Sequence, residues 1–235
     1  MDINESTELT VRSNNVVPEI GPDIPTDGLV SYWNMDTGAG SSLIDAEDDH
    51  DGTIHNATWK TNSERGTVLH FDGGNDHVVI NGWAGITSRH PRTWAIWFKS
   101  SSSLDHRLVS YGVNKTGRKY DIRTDVKNGD VLRVENADGQ KIGSRSVIDG
   151  NWHLLTVVFP ADGSAVHDHS LYVDAQLEAE TSGTDQTLNT ASSTDVFIGK
   201  SHWHDNDAEG SIGGVYAYNR ALPQEDIQKL YAETK

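Results

Sequence analysis

The sequence predicts an all-β domain, closed by one short C-terminal helix and preceded by an extended arm. Three observations predict it. From Gly28 onward, short segments alternate apolar and polar residues and are separated by Gly, Asn, Asp and Ser, the pattern of strands and turns. After the last such segment Pro223 opens a stretch in which Ile227, Leu230 and Tyr231 fall at helical spacing. Residues 1–27 carry three of the six prolines and six acidic residues against one arginine, the composition of a linker or a docking strand.

Each element follows from its own residues. Thr93–Lys99 (TWAIWFK) places Trp94, Ile96 and Phe98 on one face of a strand, with Ala95 and Trp97 on the other. Val131–Glu135 alternates in the same way, and the Asp138-Gly139 pair that follows suits a tight hairpin turn. Trp152–Phe159 is a long strand stopped by Pro160, with a turn at Ala161–Ser164. Leu171–Asp174 pairs through a short turn with Gln176–Glu180, and Val215–Tyr218 is the last strand. Pro223 is tolerated in the first helical turn, and Glu225 and Asp226 favour that end through the helix dipole.

Bulk composition narrows the partners. A chain of 235 residues buries roughly 70% of the surface that its unfolded form exposes, so it needs no metal or disulfide to hold together, and it has no cysteine. Its 35 acidic and 19 basic residues give a formal charge of −16, which repels phosphate backbones and anionic membranes. Nucleic acid is therefore set aside as a partner, and strongly sulfated or carboxylated polymers are disfavoured. The polar start MDINESTELTVRSNN has no basic and apolar leader pattern, so no signal peptide is expected in this chain. No run of 18 apolar residues occurs, and no membrane insertion is expected.

The order of segments resembles a known family. DGNWHLLTVVF (Asp149–Phe159), LYVD (Leu171–Asp174), FIGK (Phe197–Lys200) and GSIGGVYAYNRALPQEDIQKLY (Gly210–Tyr231) run as strand, hairpin, strand, strand and closing helix. Upstream, GLVSYWNMD (Gly28–Asp36) and DGTIHNATW (Asp51–Trp59) look like opening strands. TVLHFDGGNDHVVI (Thr67–Ile80) looks like a hairpin in which His77 replaces the usual aromatic residue. Together these are similar to the laminin-G-like, concanavalin A-like lectin/glucanase jelly rolls, over Gly28–Tyr231. The resemblance implies an antiparallel β-sandwich jelly roll over residues 28–235, with residues 1–27 as an arm. The family hosts lectins, enzyme-attached binding modules, adhesion domains and structural shells, so the fold does not name the function.

The resemblance also implies where a cofactor would sit. In similar jelly rolls calcium is held by the hairpin and by an aspartate early in the last strand. Here the hairpin offers Asp72, Asn75 and Asp76, with Gly73 and Gly74 allowing an oxygen-rich turn. The last strand reads Gly210-Ser211-Ile212-Gly213-Gly214-Val215, so Gly213 stands where the family aspartate is expected and one ligand is missing. Asp72 and Asp76 also suit plain turn hydrogen bonds. The acidic stretch Asp45–Asp51 reads as a solvated loop or as a second oxygen-rich site.

The segment His202-Trp203-His204-Asp205-Asn206-Asp207 is the most unusual in the chain. A sugar site needs one flat apolar ring with a few polar groups around it. Trp203 supplies the ring, with His202, His204, Asp205 and Asn206 around it; Trp83, in the Gly82–Gly85 loop, is a second ring expected to be exposed. The same Trp203 would also suit a surface loop capping the core. His167-Asp168-His169 reads as a turn, and Lys115, Arg118 and Lys119 as a solvated basic turn. No strand carries the E-x-D-x-x-E carboxylates of hydrolases with this fold, and no Gln-x-His suggests a lyase, so no catalytic residue is assigned and the chain is not expected to be an enzyme.

The resulting expectation is a non-catalytic, lectin-like domain, assisted by calcium, that recognises a cell-surface or extracellular polysaccharide outside the cell or on a virion surface. Two alternatives stay open. One is a structural or attachment protein of a virion or surface assembly, docking on a neighbouring protein subunit through residues 1–27. The other is a polysaccharide-degrading enzyme.

Overall fold

The structure, a computed structural model, describes residues 24–235 except 48, 180, 193, 194, 202, 205 and 206, and describes the backbone but not the side chains of 181 and 182. The first strands are β1 (Leu29–Trp33), β2 (Ser42–Leu43), β3 (Gly52–His55), β4 (Thr58–Asn62), β5 (Gly66–Asp72) and β6 (His77–Ile80). The central ones are β7 (Arg92–Lys99), β8 (Arg107–Gly112), β9 (Lys119–Asp125), β10 (Val131–Glu135), β11 (Gln140–Ser146) and β12 (His153–Phe159). The chain closes with β13 (Ser170–Val173), β14 (Gln176–Leu177), β15 (Thr181–Ser182), β16 (Val196–Ile198), β17 (Glu209–Tyr218) and helix α1 (Gln224–Thr234).

These strands form two antiparallel sheets packed as a jelly-roll sandwich. One sheet runs β14-β13-β12-β7-β17-β5-β4, with β1 beside the second half of β17. The other runs β15-β11-β10-β9-β8-β16-β6-β3-β2. The alternation of β7 is realised on both sides. Trp94, Ile96 and Phe98 enter the core between the sheets, against Ile122, Leu132 and Val134 of the facing sheet. Ala95 and Trp97 face a second core, where Ile227 and Leu230 of α1 cover the outside of the eight-stranded sheet. Each large side chain buried this way contributes roughly 1.5–3 kcal/mol.

Local chemistry sets the boundaries. Pro223 caps α1 from just outside it, one position earlier than a first-turn proline. The tight turn between β10 and β11 centres on Ala137 and Asp138, with φ of 56° and 55°, rather than on Asp138-Gly139. Asp174 and Ala175 make the matching turn between β13 and β14. β14 is shorter than the Gln176–Glu180 strand expected, because Glu178 turns inward and accepts from Arg145 Nε at 2.6 Å and from the Ser144 and Arg145 amides.

The arm expected over residues 1–27 lies outside the described residues up to 23. Ile24 is buried in the core beneath α1, so the folded unit takes in residues ahead of Gly28. Among the described residues no helix is long and apolar enough to cross a membrane.

Candidate functional site

The outer face of the nine-stranded sheet carries a band of buried charge. On β9, period-two alternation sends Tyr120 and Ile122 into the core and Lys119, Asp121, Arg123 and Asp125 outward. The register then sets Arg107 of β8 opposite Arg123, and Arg133 and Glu135 of β10 opposite Arg123 and Asp121. Glu135 is the hub. It accepts from Lys119 Nζ and, at 2.6 Å, from Arg133 Nη2, with Arg123 Nε at 3.4 Å and Arg107 Nη1 at 3.7 Å. Arg107 also donates to Asp121, Arg123 to Asp105 at 3.0 Å, and Arg133 to Asp125 at 3.0 Å.

Burial alone would raise the Glu135 carboxyl. Lys119, Arg133 and Arg107 outweigh burial and hold it at about 2. Asp121 is fully buried and Lys119 is 2% exposed. Four polar atoms of this band are buried without a hydrogen-bond partner: Arg107 Nε, Asp121 Oδ1, Arg123 Nε and Arg133 Nε.

The loop after β16 lies across this band. Its ends are tied together by the Ala208 amide on the Gly199 carbonyl at 2.7 Å, and to β8 by the Gly199 amide on the Leu108 carbonyl at 3.0 Å. Ser110 Oγ donates to the Lys200 carbonyl at 2.7 Å. Gly199 has a φ of +84°, and a Cβ there would meet the Phe71 ring at 2.3 Å, so only glycine fits the exit from β16. Trp203 and His204 are half-buried, with the Trp203 ring centred 5.9 Å from Lys119 Nζ. Burial, together with Arg107 and Lys119 nearby, lowers the His204 imidazole, which is neutral at neutral pH. His202, Asp205 and Asn206, expected beside them, lie outside the described residues.

The structure corrects two expectations on side-chain placement. Trp83 is not an exposed ring. It is half-buried against Trp33 and Trp94, at 5.9 and 5.8 Å between ring centres, with His50 stacked on it at 4.2 Å. Lys119 does not belong to a solvated basic turn, because it lies on strand β9 and is buried on the outer face of the sheet against Glu135. A charged residue at every second position of KYDIRTD, Lys119 to Asp125, is the signal that could have revealed this face.

The hairpin proposed for calcium adjoins the same loop. Asp72 Oδ1 accepts from the Gly74 amide and Asp76 Oδ2 from the Asp72 amide, both at 2.8 Å. Lys200 donates to Asn75 Oδ1, and its ammonium lies 3.6 Å from Asp207 Oδ2. Lys200 thus holds Asn75 Oδ1 while Asp72 and Asp76 each accept from a backbone amide as in a plain turn, so a calcium ion using Asn75 Oδ1 would have to displace Lys200. Among the described residues no group of three or more His, Cys, Asp or Glu side chains is placed to hold a metal. Gly213 serves another purpose: a Cβ there would come within 2.6 Å of Arg65 Nε, so the glycine makes room for that arginine. In the acidic stretch, Asp45 is buried and accepts from the Tyr32 and His50 amides, as a turn carboxylate does. His169, read as part of a turn, is fully buried beside Tyr120 and Phe159.

A laminin G family model, described as the concanavalin A-like lectin/glucanases superfamily, matches residues 72–228. The chain belongs to the concanavalin A-like lectin/glucanase superfamily. No curated protein sequence matches this lectin/glucanase-like chain. Among solved structures, it is similar to domain 4 of AbnA, an extracellular arabinanase of Geobacillus stearothermophilus. The TM-score is 0.65 at 15% identity, over 86% of this chain and 98% of that one. It is similar to Trypanosoma rangeli sialidase, with a TM-score of 0.63 at 20% identity over 88% of this chain, but it spans only 33% of the sialidase. It is also similar to the binding domain of Paraclostridial Mosquitocidal Protein 1, with a TM-score of 0.64 at 11% identity, covering 87% of this chain and 52% of that one. At these identities the likeness shows the superfamily fold alone.

Proposed function

We propose that this chain is a non-catalytic saccharide-binding domain, and that its site is the outer face of the nine-stranded sheet beside Trp203 and His204. The observation that carries the reading is the band of four cations and four carboxylates, open to solvent at Arg133 and Asp105, with a half-buried indole packed at Lys119. Unsatisfied buried donors and acceptors each cost about 1–3 kcal/mol and lie out of a ligand's direct reach, so ligand hydroxyls would meet the band where it opens to solvent. Arg133 and Asp105 are the openings of the band, at 17% and 18% side-chain exposure. A sugar ring would stack on Trp203 at the Lys119 end of the band, with its hydroxyls directed to the charged groups of the rim.

Four cations (Arg107, Lys119, Arg123 and Arg133) face four carboxylates (Asp105, Asp121, Asp125 and Glu135). This balance, with a chain charge of −16, favours a neutral saccharide over a sulfated one. Within the charge band, Glu135 is held at about 2 and so is not a protonated glycosidic general acid at neutral pH, and Asp121 is paired with Arg107; outside the band, burial raises the Asp207 carboxyl. The AbnA domain is described in complex with arabinotriose, and the mosquitocidal domain as a binding domain, which supports carrying a saccharide role to this fold here. The reading does not call on calcium. Binding to a broad panel of neutral and acidic glycans tests it: saturable binding of a neutral glycan without product release is expected. A flat panel, or cleavage of a bound polysaccharide, would overturn it.

A further inference from the structure

The opposite sheet carries an independent pocket. Beside α1, a cavity of about 180 Å³ is lined by Tyr32, Asn34, Asp36, Arg65, Tyr216 and Glu233, with Gly213 in its wall. A cavity of roughly 150 Å³ accepts a six-membered ring such as benzene, so this one holds a single sugar ring. Arg65 is its fixed element. Its guanidinium carbon lies 4.0 Å from the centre of the Trp97 ring and 5.4 Å from that of Trp152. Its Nε is buried and has no hydrogen-bond partner. The stacking is possible because residue 213 is glycine. The Tyr32 and Tyr216 rings stack face to face at 4.4 Å, and burial raises both phenols, which stay protonated. Asp36 and Glu233 are exposed, and neither makes an ion pair among the described residues.

We propose that this pocket binds the terminal ring of a neutral sugar, held by Arg65 on one side and by Asp36 and Glu233 on the other. An anion would be drawn to Arg65 but would face two carboxylates. A cation would be drawn to the carboxylates but would face a stacked guanidinium. A ring bearing adjacent hydroxyls does both tasks, accepting from the Arg65 guanidinium and donating to a carboxylate, with no net charge to desolvate. The pocket uses no residue of the Trp203 face, so the two sites stand or fall separately.

The test is local. The Arg65 Nε–H resonance of the labelled full chain is followed by NMR during titration with glucose, galactose, mannose, arabinose, acetate and glucuronate. A saturable shift with at least one neutral sugar, with a Kd on the order of 1 mM, is expected. Gly213 sits at a register irregularity of β17 without a positive φ, so Gly213→Ala is free of left-handed strain but pushes Arg65 off Trp97, and should weaken that sugar about tenfold or more. Arg65→Lys, which keeps the charge and loses the Nε–H, should weaken it as well. No shift with any neutral sugar, shifts with the acids alone, or unchanged affinity in Gly213→Ala would each overturn the proposal. None of these outcomes bears on the Trp203 site, because the readout sits on Arg65.

Discussion

Lys119 Nζ lies 5.9 Å from the centre of the Trp203 ring, so the buried end of β9 and the loop after β16 meet in one cation–π contact. Lys119 also pairs with Glu135, which ties the loop to the charge band. At a partly exposed site such a contact is worth about 0.5–1 kcal/mol. A double-mutant cycle of Trp203→Ala and Lys119→Met, read by urea denaturation, should show coupling of about that size. Strict additivity would mean that this cation–π contact does not help to fasten the loop.

Glu135 is the member of the band whose loss should be most severe. Glu135→Gln leaves Lys119 buried without its principal partner and Arg133 with one carboxylate fewer, an uncompensated charge that costs about 3–5 kcal/mol. The pH dependence follows from its carboxyl, lowered from 4.5 to about 2. The folded state binds this proton less readily than the unfolded state does. The stabilisation is therefore fully present above about pH 4.5 and is lost as pH falls toward 2. Denaturation curves at pH 7 and pH 3 should show the gap between wild type and Glu135→Gln narrowing in acid.

His169 should set the acid limit at higher pH. Burial, with Arg92 and Lys141 nearby, lowers its imidazole to about 3. Nδ1 lies 2.8 Å from the Val166 carbonyl, so it carries the proton and Nε2 accepts from the Tyr120 hydroxyl at 3.1 Å. A base with a depressed folded pKa gives stability that is present above its unfolded value, near 6.5, and is lost as pH falls toward 3. His169→Gln should lower stability at pH 7 and flatten the slope between pH 6.5 and 4. An unchanged slope would place the acid-sensitive group elsewhere.

Lys200 governs the calcium question. Its ammonium holds Asn75 Oδ1 and lies 3.6 Å from Asp207, so an ion ligated by Asn75 would have to displace it. Calcium should therefore bind the wild-type chain at millimolar strength or weaker, and Lys200→Ala should tighten it, read by calorimetry or by a calcium-dependent rise in Tm. Tight binding to wild type would show that the turn rearranges around the ion.

Much of the fold is legible in the residues because it rests on local periodicity. The two faces of Thr93–Lys99 and the closing helix follow from repeats of two and 3.6 positions, and the stop after Phe159 from the missing N–H of Pro160. The site is less legible because it depends on residues distant in the chain. Lys119 looks solvated beside Lys115 and Arg118, and becomes buried only when Glu135 pairs across β9 and the loop carrying Trp203 folds over it. Gly213 looks like a lost ligand, and its role appears only when Arg65, far upstream, packs against it. Trp83 has the flanking glycines of an exposed loop, yet its ring completes the core edge beside Trp33 and Trp94. Trp203 and His204 carry their own signal, an aromatic ring among polar groups, and the structure sets them on the charge band.

The central claim is that saccharide binds beside Trp203 on the outer face of the nine-stranded sheet. Its most direct test is calorimetric titration of the strongest neutral glycan from the panel into wild type and Trp203→Ala, with thermal melts to show that both are folded. The account predicts saturable binding to wild type and a loss of about tenfold or more in Trp203→Ala, which stays folded with a Tm lowered by only about 2–4 °C. Equal affinity in the two proteins would contradict it.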